Sequence, residues 1–146
     1  MPRQTRPFDL KLFLPYLLNQ AAENASLEFA RVYKDRYGLL RTDWRVLFHL
    51  GLFDTMTAQQ ISLSASIHKT KISRAVQRLE DRRYLKRMPD TKDRRREYLS
   101  LTAQGRRVYE DLHDVARNYE LRLSDGLSPE ELELLRKALQ HLAGRG

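Results

Sequence analysis

The sequence predicts a mainly α-helical fold with one small β-wing, and three observations carry that prediction. A short basic helical pattern, from Lys69 to about Arg82, is followed at once by a charged hairpin, LKRMPDTKDRRREYLSL. The segment Ile67–Arg107 holds 14 lysines and arginines against 5 acidic residues, a net +9, whereas the whole chain is +8. Positive charge is thus confined to one segment, which directs a polyanion to one face. Apolar residues at helical spacing flank this segment on both sides, more than so small a lobe can cover. The fold class is a winged helix-turn-helix lobe, residues 38–105, with an N-terminal helix, 1–37, and C-terminal helices, 106–146, forming a dimerisation region.

The elements follow in order. Between Asp9 and about Tyr37, Leu10, Phe13, Leu14, Leu17, Leu18, Ala21, Ala25 and Phe29 recur every three or four residues, marking one long amphipathic helix that Gly38 stops. Thr42 can cap a second helix, with Val46, Leu47 and Leu50 inward and an end near Gly51. Thr57 and Gln60 form a capping box for a short third helix, Ala58 to about Leu63. After the polar turn SASIH, Ile72, Ala75, Val76 and Leu79 make an inward stripe opposite Lys71, Arg74 and Arg78. Two short helices joined by a tight turn, the second basic outside, make a helix-turn-helix whose second helix enters the major groove. Leu85–Met88 and Tyr98–Leu101 read as strands around the turn PDTKDRRR, which is the wing. Thr102 caps a fifth helix that Gly126 breaks, and Ser128, Pro129 and Glu131 open a last helix with a Leu132, Leu135, Leu139, Leu142 seam.

Composition excludes several functions. The chain has no cysteine, which rules out disulfides, thiolate metal ligation and thiol redox sensing. Its four histidines, His49, His68, His113 and His141, show no metal-ligand spacing, so neither a metal nor a cofactor is expected. No catalytic order, nucleophile elbow or glycine-rich phosphate loop occurs, which argues against an enzyme. There is no run of about 18 apolar residues and no secretory pattern in MPRQTRPFDLKLF, so a cytoplasmic protein without a membrane partner is expected. The surplus apolar surface of the terminal helices calls for a partner, most simply a second copy of the chain.

RTDWRVLFHL, KISRAVQRLEDRRYLKR and PDTKDRRREYLSLTAQG together resemble the MarR family of bacterial transcription regulators over nearly the whole chain. The most specific part is the wing signature, here Asp93, Arg94 and Arg95, followed by Leu101, Thr102 and Gly105. The resemblance implies a homodimer of winged-helix lobes that binds pseudo-palindromic double-stranded promoter DNA, commonly as a repressor released by a small ligand. The start of the recognition helix, Ile67-His68-Lys69, departs from the Asp or small residue common there, which bears on the operator sequence and not on the docking mode. The alternative from charge alone is a nonspecific architectural nucleic-acid binder.

Within that frame, Lys69, Thr70, Lys71, Ser73 and Arg74 occupy the first turns of the recognition helix, where such side chains can donate to base edges or phosphate. Gln77 and Arg78, one turn later, suit backbone contacts, and His68 can donate to a phosphate. Arg94 and Arg95 sit at the tip of the hairpin, where a guanidinium gains from the potential of a narrow A·T-rich minor groove. Lys92 and Arg96 suit phosphate contacts or solvent. The resemblance gives Arg95 the minor-groove position and makes Asp93 an orienting ion-pair partner. It also sets Trp44, Arg45, Phe48 and His49 beside a crevice where aromatic walls and a cation suit a small aromatic carboxylate, with Phe13 and Tyr16 lining it from the first helix. Packing is the competing role for Trp44 and Phe48.

Overall fold

The computed structural model describes residues 7–144. The expected terminal segments therefore extend, at residues 1–6 and 145–146, beyond the described residues, as does the start of the N-terminal stretch read for secretory signals. Among the described residues, six helices and a two-stranded antiparallel sheet follow in the order α1 (Leu14–Tyr37), α2 (Arg41–Phe53), α3 (Ala58–Ala65), α4 (Lys69–Asp81), β1 (Leu85–Pro89), β2 (Glu97–Leu101), α5 (Ala103–Leu123) and α6 (Pro129–Leu142). A single 3-10 turn, Leu10–Leu12, precedes α1.

The first helix is not continuous from Asp9. The chain is extended at Phe13, and α1 starts afresh with Pro15 in its first turn. Pro15 has no N–H for the Lys11 carbonyl, and its ring would collide with that carbonyl in an unbroken helix. Gly38 ends α1 in the left-handed conformation, with its N–H donated to Lys34.

The second helix is capped differently from the expectation. Leu40 is the cap residue, and the Asp43 carboxylate accepts its N–H at 2.9 Å, so Thr42 lies inside the helix. Gly51 does not stop α2 but lies within it. A Cβ there would come 2.4 Å from the Tyr109 ring, so this glycine lets α5 approach α2 closely. The Thr57–Gln60 capping box forms in both directions, at 2.9 and 3.1 Å. The turn before α4 bends through Ser66 at φ 55°, doing without the glycine usual in that place.

The core gathers Val46, Leu47 and Leu50 of α2, Ile61 of α3, Ile72, Ala75, Val76 and Leu79 of α4, Leu85 and Leu99 of the hairpin, and Val108 and Leu112 of α5. Every residue of the expected α4 stripe is buried. The hairpin pairs Leu85 with Leu101, Arg87 with Leu99 and Pro89 with Glu97. Met56, in the loop before α3, bonds both ways to Leu99 and extends the sheet by one residue, at 2.8 and 3.1 Å. This short pairing ties the wing to the loop between α2 and α3.

Helix α5 returns along α1 and is clasped to it. The Tyr37 hydroxyl and the Arg36 guanidinium both donate to Asp111, Tyr119 donates to the Ala25 carbonyl, and Arg122 pairs with Glu28. Burial and the bond to Asp111 push the Tyr37 hydroxyl up to about 12, while that same bond holds the Asp111 carboxyl below the usual carboxylate range. The N-terminal half of α1 and all of α6 contribute no buried residue, and Leu12, Leu14, Leu17, Leu134, Leu135, Leu139 and Leu142 remain exposed. Among the described residues, no helix is long and apolar enough to cross a membrane.

Candidate nucleic-acid interface

The outward face of α4 presents Lys69, Thr70, Lys71, Ser73 and Arg74, all exposed. His68 is the N-cap residue of α4, with its Nδ1 accepting the Thr70 N–H at 3.2 Å. An Nδ1 that accepts is unprotonated, so in the neutral ring Nε2 carries the hydrogen and is a donor, as a phosphate contact would require.

The wing turn is held by its own backbone. Asp93 Oδ1 accepts the Arg95 N–H at 3.0 Å, the Asp93 carbonyl accepts the Arg96 N–H, and Asp90 accepts the Lys92 N–H. Asp93 thus orients the tip as a turn residue and forms no ion pair among the described residues. Arg94, Arg95 and Arg96 are exposed, without an acidic partner among those residues. A cleft of about 270 Å³ runs between α4 and the wing, and Lys69 and Ser73 meet Arg94, Arg95 and Arg96 across it. Recognition helix and wing therefore present one continuous cationic surface. Thr70, Lys71 and Arg74 share the helix face without lining that cleft.

Two of the expected backbone contacts are engaged within the protein. Arg78 is drawn to Asp43, with Nε and Nη2 at 2.9 and 2.7 Å from Oδ1. Asp43 is only 1% exposed, so its charge would be costly to bury without that partner. Gln77 donates to Asp81 and accepts from Arg87.

Arg87 carries a role that the sequence reading did not assign. Strand alternation sets it on the same face as Leu85, toward α4, where it donates to Glu80 of α4 at 3.1 Å, Gln77 of α4 at 3.2 Å and Glu97 of β2 at 3.0 Å. Partial burial opposes its charge, but the bonds to Glu97 and Glu80 outweigh that and hold its pKa above the ordinary value. The available signal was a charged residue two positions after Leu85, at an inward position of the strand, with Glu80 seven positions earlier in the chain. Asp43 gave a weaker one, an acid in the first turn of a helix.

A second cleft, of about 470 Å³, lies between α1, α2 and α5. Trp44, Arg45 and Phe48 line it together with Phe29, His113 and Tyr119. Its aromatic walls meet edge to face, Phe29 with Trp44 at 5.2 Å and Trp44 with Phe48 at 5.3 Å. Arg41, Arg45 and Arg117 also border it and form no ion pair among the described residues. His49 does not line it but lies in an adjoining, smaller cleft of about 310 Å³ that shares Trp44, Arg45 and Phe48 with it. Its Nδ1 is 2.7 Å from the Arg45 carbonyl.

Phe13 and Tyr16 line neither cleft, contrary to expectation. At 1.5 Å per residue, the α1 residues that meet α2, Phe29 and Tyr33, lie roughly 20 Å further along. Phe13 instead packs edge to face on Phe8, with ring centres 5.1 Å apart.

Residues 37–96 match the model of the MarR family. Over 144 residues the chain is 27% identical to the HTH-type transcriptional regulator FarR of Neisseria gonorrhoeae, covering 98% of this chain and 94% of that protein. It is similar to a MarR/EmrR family transcriptional regulator from Acinetobacter sp. ADP1, with a TM-score of 0.84, 25% identity and coverage of 94% and 97% of the two chains. A second similar structure is NadR in complex with 4-hydroxyphenylacetate, with a TM-score of 0.75, 26% identity and 98% of each chain covered.

Proposed function

We propose that this chain, which belongs to the MarR family of DNA-binding transcriptional regulators, acts as a sequence-specific homodimeric repressor released by a small aromatic carboxylate. The observation that carries the DNA-binding role is the shared cationic surface of α4 and the wing, where Lys69 and Ser73 face Arg94, Arg95 and Arg96. The first turns of α4 suit base edges in the major groove, and Arg95 suits the flanking minor groove.

The dimer follows from the unburied faces. The leucines of α6 and of the start of α1 are exposed in a single copy, and a two-fold partner covers them with the same residues of its own. Residues 1–37 and 106–146 then form the dimerisation region, and 38–105 the lobe that meets DNA. Two lobes joined in this way present recognition helices to half-sites about 34 Å apart.

Three unpaired guanidiniums among aromatic walls support an anionic aromatic effector in the 470 Å³ cleft. The 4-hydroxyphenylacetate bound by the similar NadR is a ligand of that class. This cleft spans the joint between the helices assigned to dimerisation and α2 of the lobe. A ligand that fits it better at one lobe separation shifts the population away from the separation that DNA requires. The proposed location is the cytoplasm, where the DNA is.

Selection from fragments of the source genome, followed by footprinting, tests this reading. The expected outcome is an enriched pseudo-palindrome with two protected half-sites about one helical turn apart, whose protection an aromatic monocarboxylate reverses. Recovery of fragments with no shared sequence would instead indicate an architectural binder.

A further inference from the structure

We propose that Arg87 is a positioning residue for DNA recognition: by holding Gln77 and Glu80 of α4 and Glu97 of β2 together, it sets the angle between recognition helix and wing. This rests on the DNA-binding function proposed above.

The wing is a lever with a small base. Between Leu85 and Leu99 no residue of the hairpin is buried, and the turn from Asp90 to Arg96 bonds to itself. At about 3.3 Å per residue the arginines of the tip stand roughly 15 Å beyond Leu85. A tilt of about 10° at the base would therefore displace them by roughly 3 Å, the length of a hydrogen bond. Apolar contact at Leu85 and Leu99 is non-directional and resists such a tilt weakly.

Arg87 supplies direction. All three of its guanidinium nitrogens are engaged, Nε with Glu80, Nη1 with Glu97 and Nη2 with Gln77. Gln77 continues the chain of bonds to Asp81 at 2.9 Å, so one planar group joins two positions of α4 to the strand across the hairpin. A lysine offers a single ammonium and cannot span the same acceptors in a fixed plane. Arg87 also borders the cleft whose far wall is Arg94–Arg96, yet each of its three nitrogens already donates to a group of the protein. It acts through the wing and not on DNA.

Arg87 also offsets part of the charge of two carboxylates, Glu80 and Glu97, that would otherwise stand near DNA phosphates. The test must separate geometry from charge. Binding to the selected operator duplex would be followed by anisotropy for wild type, Arg87→Met, and the triple variant Arg87→Met/Glu80→Gln/Glu97→Gln, each with and without Arg95→Ala. Melting curves by circular dichroism would confirm folding, and Arg87→Lys serves as a second, milder variant.

In the wild-type background, Arg95→Ala should weaken binding roughly tenfold, as loss of a minor-groove guanidinium implies. In the Arg87→Met and triple backgrounds it should weaken binding less than about twofold, because a tip that is already displaced has no contact to lose. Arg87→Lys should fall between. A triple variant that binds like wild type and keeps the full Arg95 effect would overturn the proposal, leaving Arg87 as charge compensation alone. If wild type itself showed no preference for the operator over a scrambled duplex, the regulator assignment would fall first and this one with it.

Discussion

Gly105→Ala should destabilise the protein by about 3 kcal/mol or more, although the substitution improves helix propensity by about 1 kcal/mol. Gly105 lies in the first turn of α5, where a Cβ would stand 1.8 Å from the Tyr84 carbonyl oxygen and 2.7 Å from its carbon. Both neighbours are backbone and cannot rotate away. That carbonyl already accepts the Thr102 N–H, while the Thr102 hydroxyl donates to the Arg83 carbonyl at 2.6 Å. Arg83 itself turns through φ 64° to lead from α4 into β1. Room for a methyl group requires α5 to lift from this turn, with loss of those two bonds and of the α5 cap that Thr102 provides through the Gly105 N–H. Urea denaturation measures the effect. Gly126→Ala, with nothing within 4 Å of the added carbon, should stay within about 0.5 kcal/mol of wild type. Equal stability of the two variants would show that the close approach of α5 to Tyr84 does not exist.

The second large effect concerns Asp43. Its Oδ2 caps α2 through the Leu40 N–H, and its Oδ1 holds Arg78 of α4, so one buried carboxylate joins the two helices that pack most extensively in the lobe. Asp43→Ala should cost about 2–4 kcal/mol, from the loss of the cap and from a guanidinium left half-buried without its partner. The Arg78 side chain is 38% exposed, so water relieves part of that cost and the lower half of the range is expected. Asp43→Ala/Arg78→Met should be more stable than Asp43→Ala alone, since no unpaired charge remains. A double variant whose loss equals the sum of the two single losses would mean that the pair is not coupled.

Much of this architecture was legible in the chain. The three-four stripe Ile72, Ala75, Val76, Leu79 identified the buried face of α4 because a short amphipathic helix has only one way to face a core. The charge run between two apolar strand-like segments identified the wing because such a run cannot be buried. The capping signatures at Thr57, Thr102 and Ser128 each form as expected, since they depend on neighbours three residues away.

What was not legible depends on contacts distant in sequence. The Arg78 charge looked free for DNA because Asp43 lies 35 positions earlier, and Gly51 looked like a helix end because Tyr109, the ring it accommodates, lies in α5. Gly105 belonged to a family pattern before it had a reason, and the Tyr84 carbonyl supplies one. The family resemblance places Phe13 and Tyr16 at the crevice, whereas the length of α1 carries them past it. The pattern identified the apolar face correctly but not the surface that each part of it meets.

The most direct test of the central claim, sequence-specific recognition through α4 and the wing, is fluorescence anisotropy across a range of salt on two duplexes, the region upstream of the protein's own gene and a scrambled copy. Wild type should prefer the native duplex by about a thousandfold or more, with affinity for both falling steeply as salt displaces phosphate contacts, and Arg95→Ala should shrink that preference. Equal, salt-sensitive binding to the two duplexes, unchanged in Arg95→Ala and repeated with duplexes recovered by genomic selection, would contradict it.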